Sequence, residues 1–259
     1  MVEMRQFWNK YVLHNGMAWL AAALVVIGAA VYLPAALMTS GQAAGRKIPI
    51  YSVETEKKQV ALSFDAAWGN EDTSKILDIL EKHQIHSTFF MTGGWVEKYP
   101  EDVQRIAQAG HDLGNHSQNH KEMSRLDSGQ ARDEIMKVHE SVKELTGKSM
   151  ELFRPPYGDY DDELISTAEN CGYLPIQWSV DSLDWKNYGV EDIVNRVLNH
   201  KELRSGAIIL MHNGAKYTAQ ALEALISGLE EKGYEIVPVS RLIYQENYQI
   251  DQEGRQFPG

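Results

Sequence analysis

Val60-Ala61-Leu62-Ser63-Phe64-Asp65 is a short β-prone run that stops at a carboxylate, and Thr73 to Lys82 beyond it carries Ile76, Leu77, Ile79 and Leu80 at helical spacing. A strand, a loop and a helix follow one another, and the alternation recurs. Ser87 to Met91 reads as a strand and Asp102 to Ala109 as a helix. His111 to Asn115 reads as a short strand backed by a long helix over Gly129 to Thr146. Leu152-Phe153, Ile176 to Val180 and Ala207 to Met211 are further strands, with helices over Tyr160 to Asn170, Val190 to His200 and Ala219 to Lys232, and a last short strand over Glu235 to Val237. Repeated strand–helix units favour a parallel sheet, and a closed or nearly closed barrel buries so many short strands. In such barrels reacting residues gather at the C-terminal ends of the strands. Asp65, His116, Arg154, Asp184 and His212 all fall at such places.

The composition bounds the rest. The chain has 259 residues, 43% of them hydrophobic and 24% charged, enough for one large core. Its net charge of −11 argues against a nucleic-acid partner, whose phosphates need a basic surface. The single cysteine, Cys171, excludes an internal disulfide framework and reads as a small core hydrophobe. From Tyr11 to Gly45 there is no Asp, Glu, Lys or Arg, and Ala18 to Leu37 is apolar enough to cross a bilayer as a helix. Arg5 and Lys10 before it hold the N-terminus inside by the positive-inside rule and send the rest across. The expected organisation is a cytoplasmic segment at 1–16, an uncleaved transmembrane signal anchor at 17–39, a stalk at 40–58 and one catalytic domain at 59–259, facing outward from the cell membrane. Ala35, Ala36, Ala43 and Ala44 leave cleavage open. A monomer is expected.

Gly114-Asn115-His116-Ser117-Gln118-Asn119-His120 holds two histidines four residues apart, on one face of a helical turn or across a tight loop. That spacing lets two imidazoles share one divalent ion. By itself it also fits a polar surface pair.

Five segments stand in order: Ser63-Phe64-Asp65, His116-Ser117-Gln118-Asn119-His120, Arg154-Pro155-Pro156-Tyr157-Gly158, Asp181-Ser182-Leu183-Asp184-Trp185 and Ile209-Leu210-Met211-His212. Together they resemble the polysaccharide deacetylases, the NodB-homology domain of carbohydrate esterase family 4, over about Lys58 to Gln245. Phe64-Asp65-Ala66-Ala67-Trp68-Gly69 and the N-terminal anchor are most similar to the membrane-anchored sporulation deacetylases. The resemblance implies an α/β fold, a distorted (β/α) barrel with about seven parallel strands. It also implies hydrolysis of N-acetyl groups on aminosugars of cell-wall glycan, peptidoglycan in a sporulating cell. The cofactor it implies is a divalent metal, typically Zn2+, on His116 and His120. Asp65 matches the general base and Arg154 the residue that keeps it ionised and aimed. Tyr157 matches the donor of an oxyanion-binding backbone amide, and His212 the general acid, oriented by Asp184. Trp185 and Leu210 match the frame of the acetyl pocket.

One position departs from the pattern. Where the family carries a second aspartate as metal ligand, this chain has Ala66, which leaves a catalytic zinc one protein ligand short of three. Asp72 is the candidate replacement, in a loop that Gly69 and Asn70 allow to bend back, and Glu71 is the second choice. Asp72 equally suits the N-cap of the following helix. The alternative function is a catalytically weak or inactive wall-glycan-binding protein that keeps the groove and has lost the metal with Ala66. A metalloprotease has no His-Glu-x-x-His to support it.

Overall fold

The computed structural model describes residues 42, 43 and 45–259. The segment read as a signal anchor, 17–39, and the one before it lie outside these. Among the described residues no helix is long and apolar enough to cross a membrane.

The order of elements is β1 (Gln59–Ala66), α1 (Thr73–Lys82), β2 (Thr88–Met91), α2 (Gly93–Lys98), α3 (Pro100–Gln108), β3 (Asp112–Asn115), α4 (Ser128–Thr146), β4 (Leu152–Phe153), α5 (Asp162–Asn170), β5 (Leu174–Pro175), β6 (Val180–Asp181), α6 (Val190–Leu198), β7 (Ile208–His212), α7 (Thr218–Glu231), β8 (Glu235–Ile236) and α8 (Val239–Leu242). Seven strands pair in parallel in the order β5-β4-β3-β2-β1-β7-β6, and β8 joins the start of β1. The two ends of this path, β5 and β6, are consecutive in the chain and do not pair with each other, so the barrel is open there.

β1 is the axis. All eight of its residues are buried, as expected of a parallel strand covered on both faces. Val60, Leu62, Phe64 and Ala66 pack in the cluster shared with the helices, together with Ile76 and Leu80 of α1. Ala61 belongs to a second, inner cluster with Phe90, Ile176 and Ile208. Period-two alternation then carries Ser63 and Asp65 on the inner row, which is how an apolar strand delivers one carboxylate to the barrel mouth. Burying a side chain such as Phe64 is worth about 1.5–3 kcal/mol, so the register that fixes Asp65 is held by the apolar residues flanking it.

The boundaries differ in instructive places. α3 begins at Pro100, whose fixed φ suits the first helical turn, and a separate helix, α2, precedes it, capped by the Thr92 side chain on the Trp95 amide. The run Ile176 to Val180 is not one strand: it lies between Leu174–Pro175 and Val180–Asp181, because Ile176 makes an isolated parallel bridge to Ile50 and only Val180 and Asp181 pair with β7. Ile50 and Val53, inside the stretch read as a stalk, are fully buried, and Ser52–Val53 pairs with Arg255–Pro258, which pairs in turn with Tyr248–Ile250. That stretch therefore belongs to the folded domain from about Ile50 onward.

Candidate active site

Asp65 and His212 are register partners on the adjacent strands β1 and β7, so the two candidate proton carriers stand side by side at the C-terminal edge of the sheet. Arg154, at the end of β4 and wholly buried, donates from Nη1 to Asp65 Oδ1 at 2.7 Å and from Nη2 to Ser63 Oγ at 2.9 Å and to the Gln177 carbonyl at 3.1 Å. Its guanidinium also lies over the Phe90 ring, 4.0 Å from the centroid. Burial would raise the Asp65 carboxyl, but Arg154, and after it His116 and His212, overcome that and hold it below the ordinary carboxylate range. Asp65 is thus an ionised carboxylate with its second oxygen, Oδ2, 3.5 Å from His116 Nε2.

The surroundings of His212 favour its protonated form. Asp184 Oδ1 lies 2.6 Å from His212 Nδ1, and Asp184 Oδ2 accepts from the His212 backbone amide at 2.7 Å and from Thr218 Oγ1 at 2.5 Å. The Trp185 amide donates to Oδ1 at 2.9 Å, so the buried carboxylate is fully partnered. Burial pulls the His212 imidazole down, yet the Asp184 hydrogen bond and charge, helped by Asp65 and Asp181, leave it raised above its ordinary value. A proton on Nδ1 is fixed toward Asp184, leaving Nε2 as the exchangeable end.

His116 and His120 sit in a loop, not on a helix, because Ser117 and His120 take positive φ values of 65° and 52°. Their rings lie 4.9 Å apart. His116 Nδ1 is 2.7 Å from the Arg154 carbonyl, which orients that nitrogen as the donor and leaves Nε2 as a bare lone pair. Burial takes His116 down to about 4, so the ring is neutral at ordinary pH, as a metal ligand must be. The loop is secured by Glu134 of α4, which accepts from the Asn119 amide at 2.8 Å and its side chain at 2.7 Å.

The third expected ligand is not there. Among the described residues no group of three or more His, Cys, Asp or Glu side chains is placed to hold a metal ion. Asp72 turns the other way, its Oδ1 accepting from the Gly214 amide at 2.7 Å. Nor does it cap α1: it occupies the N-cap position without a side-chain cap hydrogen bond. The bond to the Gly214 amide aims the carboxylate at the loop after His212, Asp72 does not line the cavity that His116 and His120 face, and its helical backbone, φ −108° and ψ −6°, is not the extended one from which an N-cap side chain reaches back. Two imidazoles fit as a pair of ligands but fall one short of the three that a catalytic zinc uses.

Asp72 Oδ2 is buried without a partner, and burial raises the carboxyl from 3.8 to about 6. The folded state therefore binds this proton more tightly than the unfolded chain. The stability it contributes is complete below the unfolded value and is lost as the pH rises through about 6. The wild-type melting temperature should accordingly fall relative to that of Asp72→Asn across that interval, a difference scanning calorimetry at several pH values reads directly.

Around these groups opens a cavity of about 660 Å³, lined among others by Asp65, His116, His120, Tyr157, Trp185, Leu210 and His212. Trp68 and Trp185 stand half exposed at its mouth, whereas Trp95 is core and Trp178 partly buried beneath. Tyr157 has φ 61°, and Leu183 and Asn187 have 50° and 58°. Tyr157, Asn187 and His120, the last with φ 52°, line the cavity, and Ser117 and Leu183 lie in the same loops, the kind of backbone strain that persists where packing over-determines a functional site. Sequence reasoning missed Ser63, Glu134 and Thr218, which hold Arg154, the histidine loop and Asp184. Ser63 was readable, two residues from Asp65 on the same strand face. Glu134 and Thr218 sit in helices distant in sequence and carry no local signal.

A family model described as polysaccharide deacetylase matches residues 52–176. The chain is 32% identical over 208 residues to peptidoglycan-N-acetylmuramic acid deacetylase PdaA of Bacillus subtilis (strain 168), covering 77% of each protein. It is 37% identical over 195 residues to the uncharacterized protein YlxY of the same organism, covering 75% of this chain but only 60% of that one. Among solved structures, a CE4 family pseudoenzyme from Bacillus anthracis, BA3943, superposes with a TM-score of 0.72 at 36% identity over 75% of this chain and 68% of that one. A mutant of that protein is described as having restored enzymatic activity.

Proposed function

The chain belongs to the polysaccharide deacetylases of carbohydrate esterase family 4, a family of hydrolases, and on that premise we propose that it removes N-acetyl groups from aminosugars of peptidoglycan. The observation that carries the reading is the opposed pair facing one cavity: Asp65, kept ionised by Arg154, and His212, raised by Asp184. A pure binding groove has no use for a base and an acid on neighbouring strands.

The chemistry follows from the placement. Asp65 takes a proton from water as its oxygen adds to the acetyl carbonyl carbon. The carbonyl oxygen becomes an oxyanion, for which the rigid Pro155-Pro156-Tyr157-Gly158 turn supplies the Tyr157 amide as a fixed donor. His212 then gives its Nε2 proton to the sugar nitrogen, the C–N bond breaks, and acetate and a free amine remain. A divalent metal, when bound, supplies Lewis-acid polarisation and a more acidic water, and His116 and His120 are the residues to hold it. Trp68 and Trp185 offer aromatic faces to the sugar rings. Placement on the outer side of the cell membrane, and a role in sporulation, belong to the same proposal. They are supported by the uncharged stretch before Gly45 and by the Phe-Asp-x-x-Trp-Gly form of the first motif.

A second reading, a glycan-binding protein with little or no turnover, is favoured by one feature, the two-histidine site beside Ala66. Incubation of the full chain with purified peptidoglycan, with and without added Zn2+, separates them. Acetate and new free amines are expected, and both should appear about 10²–10⁴-fold more slowly with Asp65→Asn. Retention of the protein on peptidoglycan with no acetate released under either condition would replace the first reading by the second.

A further inference from the structure

Asp72 and Trp68 lie in the loop that joins β1 to α1, and this loop is fastened along its length to the one that follows His212. Asp72 Oδ1 accepts from the Gly214 amide at 2.7 Å. Asn213, wholly buried, donates from Nδ2 to the Gly69 carbonyl at 3.2 Å and accepts at Oδ1 from Thr73 Oγ1 at 3.0 Å. The Trp95 indole donates to the same Gly69 carbonyl at 2.8 Å, and the Asn213 amide donates to the Asp65 carbonyl at 2.9 Å. The two backbones touch: a Cβ on Gly214, whose φ is +89°, would stand 3.2 Å from the Gly69 oxygen and 3.2 Å from Trp68 Cδ1. From this joint the Trp68 ring reaches over His212 and stacks on it at 5.4 Å between centroids and 22° between planes.

We propose that Asp72 is a positioning residue for His212, clamping the loop that carries the acid to the loop that carries Trp68 so that the imidazole is held between the Asp184 carboxylate and the indole face. Asp184 fixes the ring's Nδ1 edge. It cannot by itself stop the ring from rotating about that bond, and the indole, locked in place by the clamp, closes that freedom. Two points in the structure favour the clamp over a ligand role. The oxygen that is engaged points at a backbone amide two residues beyond His212, and Asp72 is absent from the cavity lining that contains His116 and His120. That positioning matters for turnover rests on the deacetylase reading; the geometry itself does not.

The test separates the two. In the full-length protein, the ring-current shift of the His212 Cε1 proton reports the stack, with Trp68→Leu giving its unstacked value. Asp72→Ala should bring the shift to that value, while Asp72→Asn, which keeps an oxygen for the Gly214 amide, should retain it. If Asp72→Ala does not fold, Gly214→Ala serves, since its Cβ, 3.2 Å from both the Gly69 oxygen and Trp68 Cδ1, must part the two loops slightly at the joint and should weaken the stack. Deacetylation by Asp72→Ala should fall on the order of tenfold in kcat with little change in KM, and Asp72→Asn should recover it. Zn2+ titration should give the same affinity for wild type and both Asp72 variants. An unaltered ring-current shift in Asp72→Ala overturns the inference, as does a Zn2+ affinity that falls in the Asp72 variants. A shift that moves as expected in a wild-type protein without turnover supports the clamp and defeats the deacetylase reading alone.

Discussion

Asp65→Asn is expected to slow acetate release by about 10²–10⁴-fold, the span that a positioned general base contributes. The substitution keeps the size of the side chain and an oxygen for Arg154 Nη1, so the loss falls on proton transfer and not on the shape of the cavity. It also removes the negative charge opposite a guanidinium that is wholly buried. A fall in stability should therefore accompany the kinetic effect, and circular dichroism melts of the variant must show a folded protein at the assay temperature before the rate is read. A folded Asp65→Asn that still releases acetate at more than a tenth of the wild-type rate would take the base role from Asp65.

Arg154→Met should produce the largest stability change of any single substitution at the site, about 3–5 kcal/mol at neutral pH, because it strands the buried Asp65 carboxylate without its partner. The pH dependence carries the more informative sign. In the wild type Asp65 is held below its unfolded value, so its contribution to stability is present above that value and is lost as the pH falls through the lowered one. Without Arg154, burial dominates and the Asp65 carboxyl rises. Its contribution is then complete in acid and lost on going toward neutrality. The gap in melting temperature between the two proteins should widen as the pH rises from the acid range to neutrality. A gap that is constant with pH would mean that Arg154 acts through its bonds to Ser63 and the Gln177 carbonyl and its stacking on Phe90, and not through Asp65.

Much of the architecture is legible in residue order. The apolar run that places Asp65 and the spacing of Ile76, Leu77, Ile79 and Leu80 produce β1 and α1 as read, because a doubly covered strand and an amphipathic helix are local patterns. The pairing of Ser52–Val53 with Arg255–Pro258 is not local, and no periodicity in either segment announces it. The split of Ile176 to Val180 is of the same kind: Ile50, more than a hundred residues earlier, takes up Ile176.

The site divides along the same line. Asp65, Arg154, Asp184, His212 and the His116–His120 pair follow from motif order alone, since each ends a strand or opens a loop whose position the strand–helix alternation sets. Asp72 does not. Its sequence context admits a metal ligand or a helix cap, and nothing within the loop weighs one against the other. The tertiary structure decides for neither, because the amide of Gly214, brought alongside by the parallel pairing of β1 with β7, is the donor its carboxylate meets first. Sequence determined which chemical groups this protein carries to the barrel mouth. Which of them meet there was left to the fold, because a hydrogen bond between residues 142 positions apart depends on how two loops pack and leaves no mark in either one.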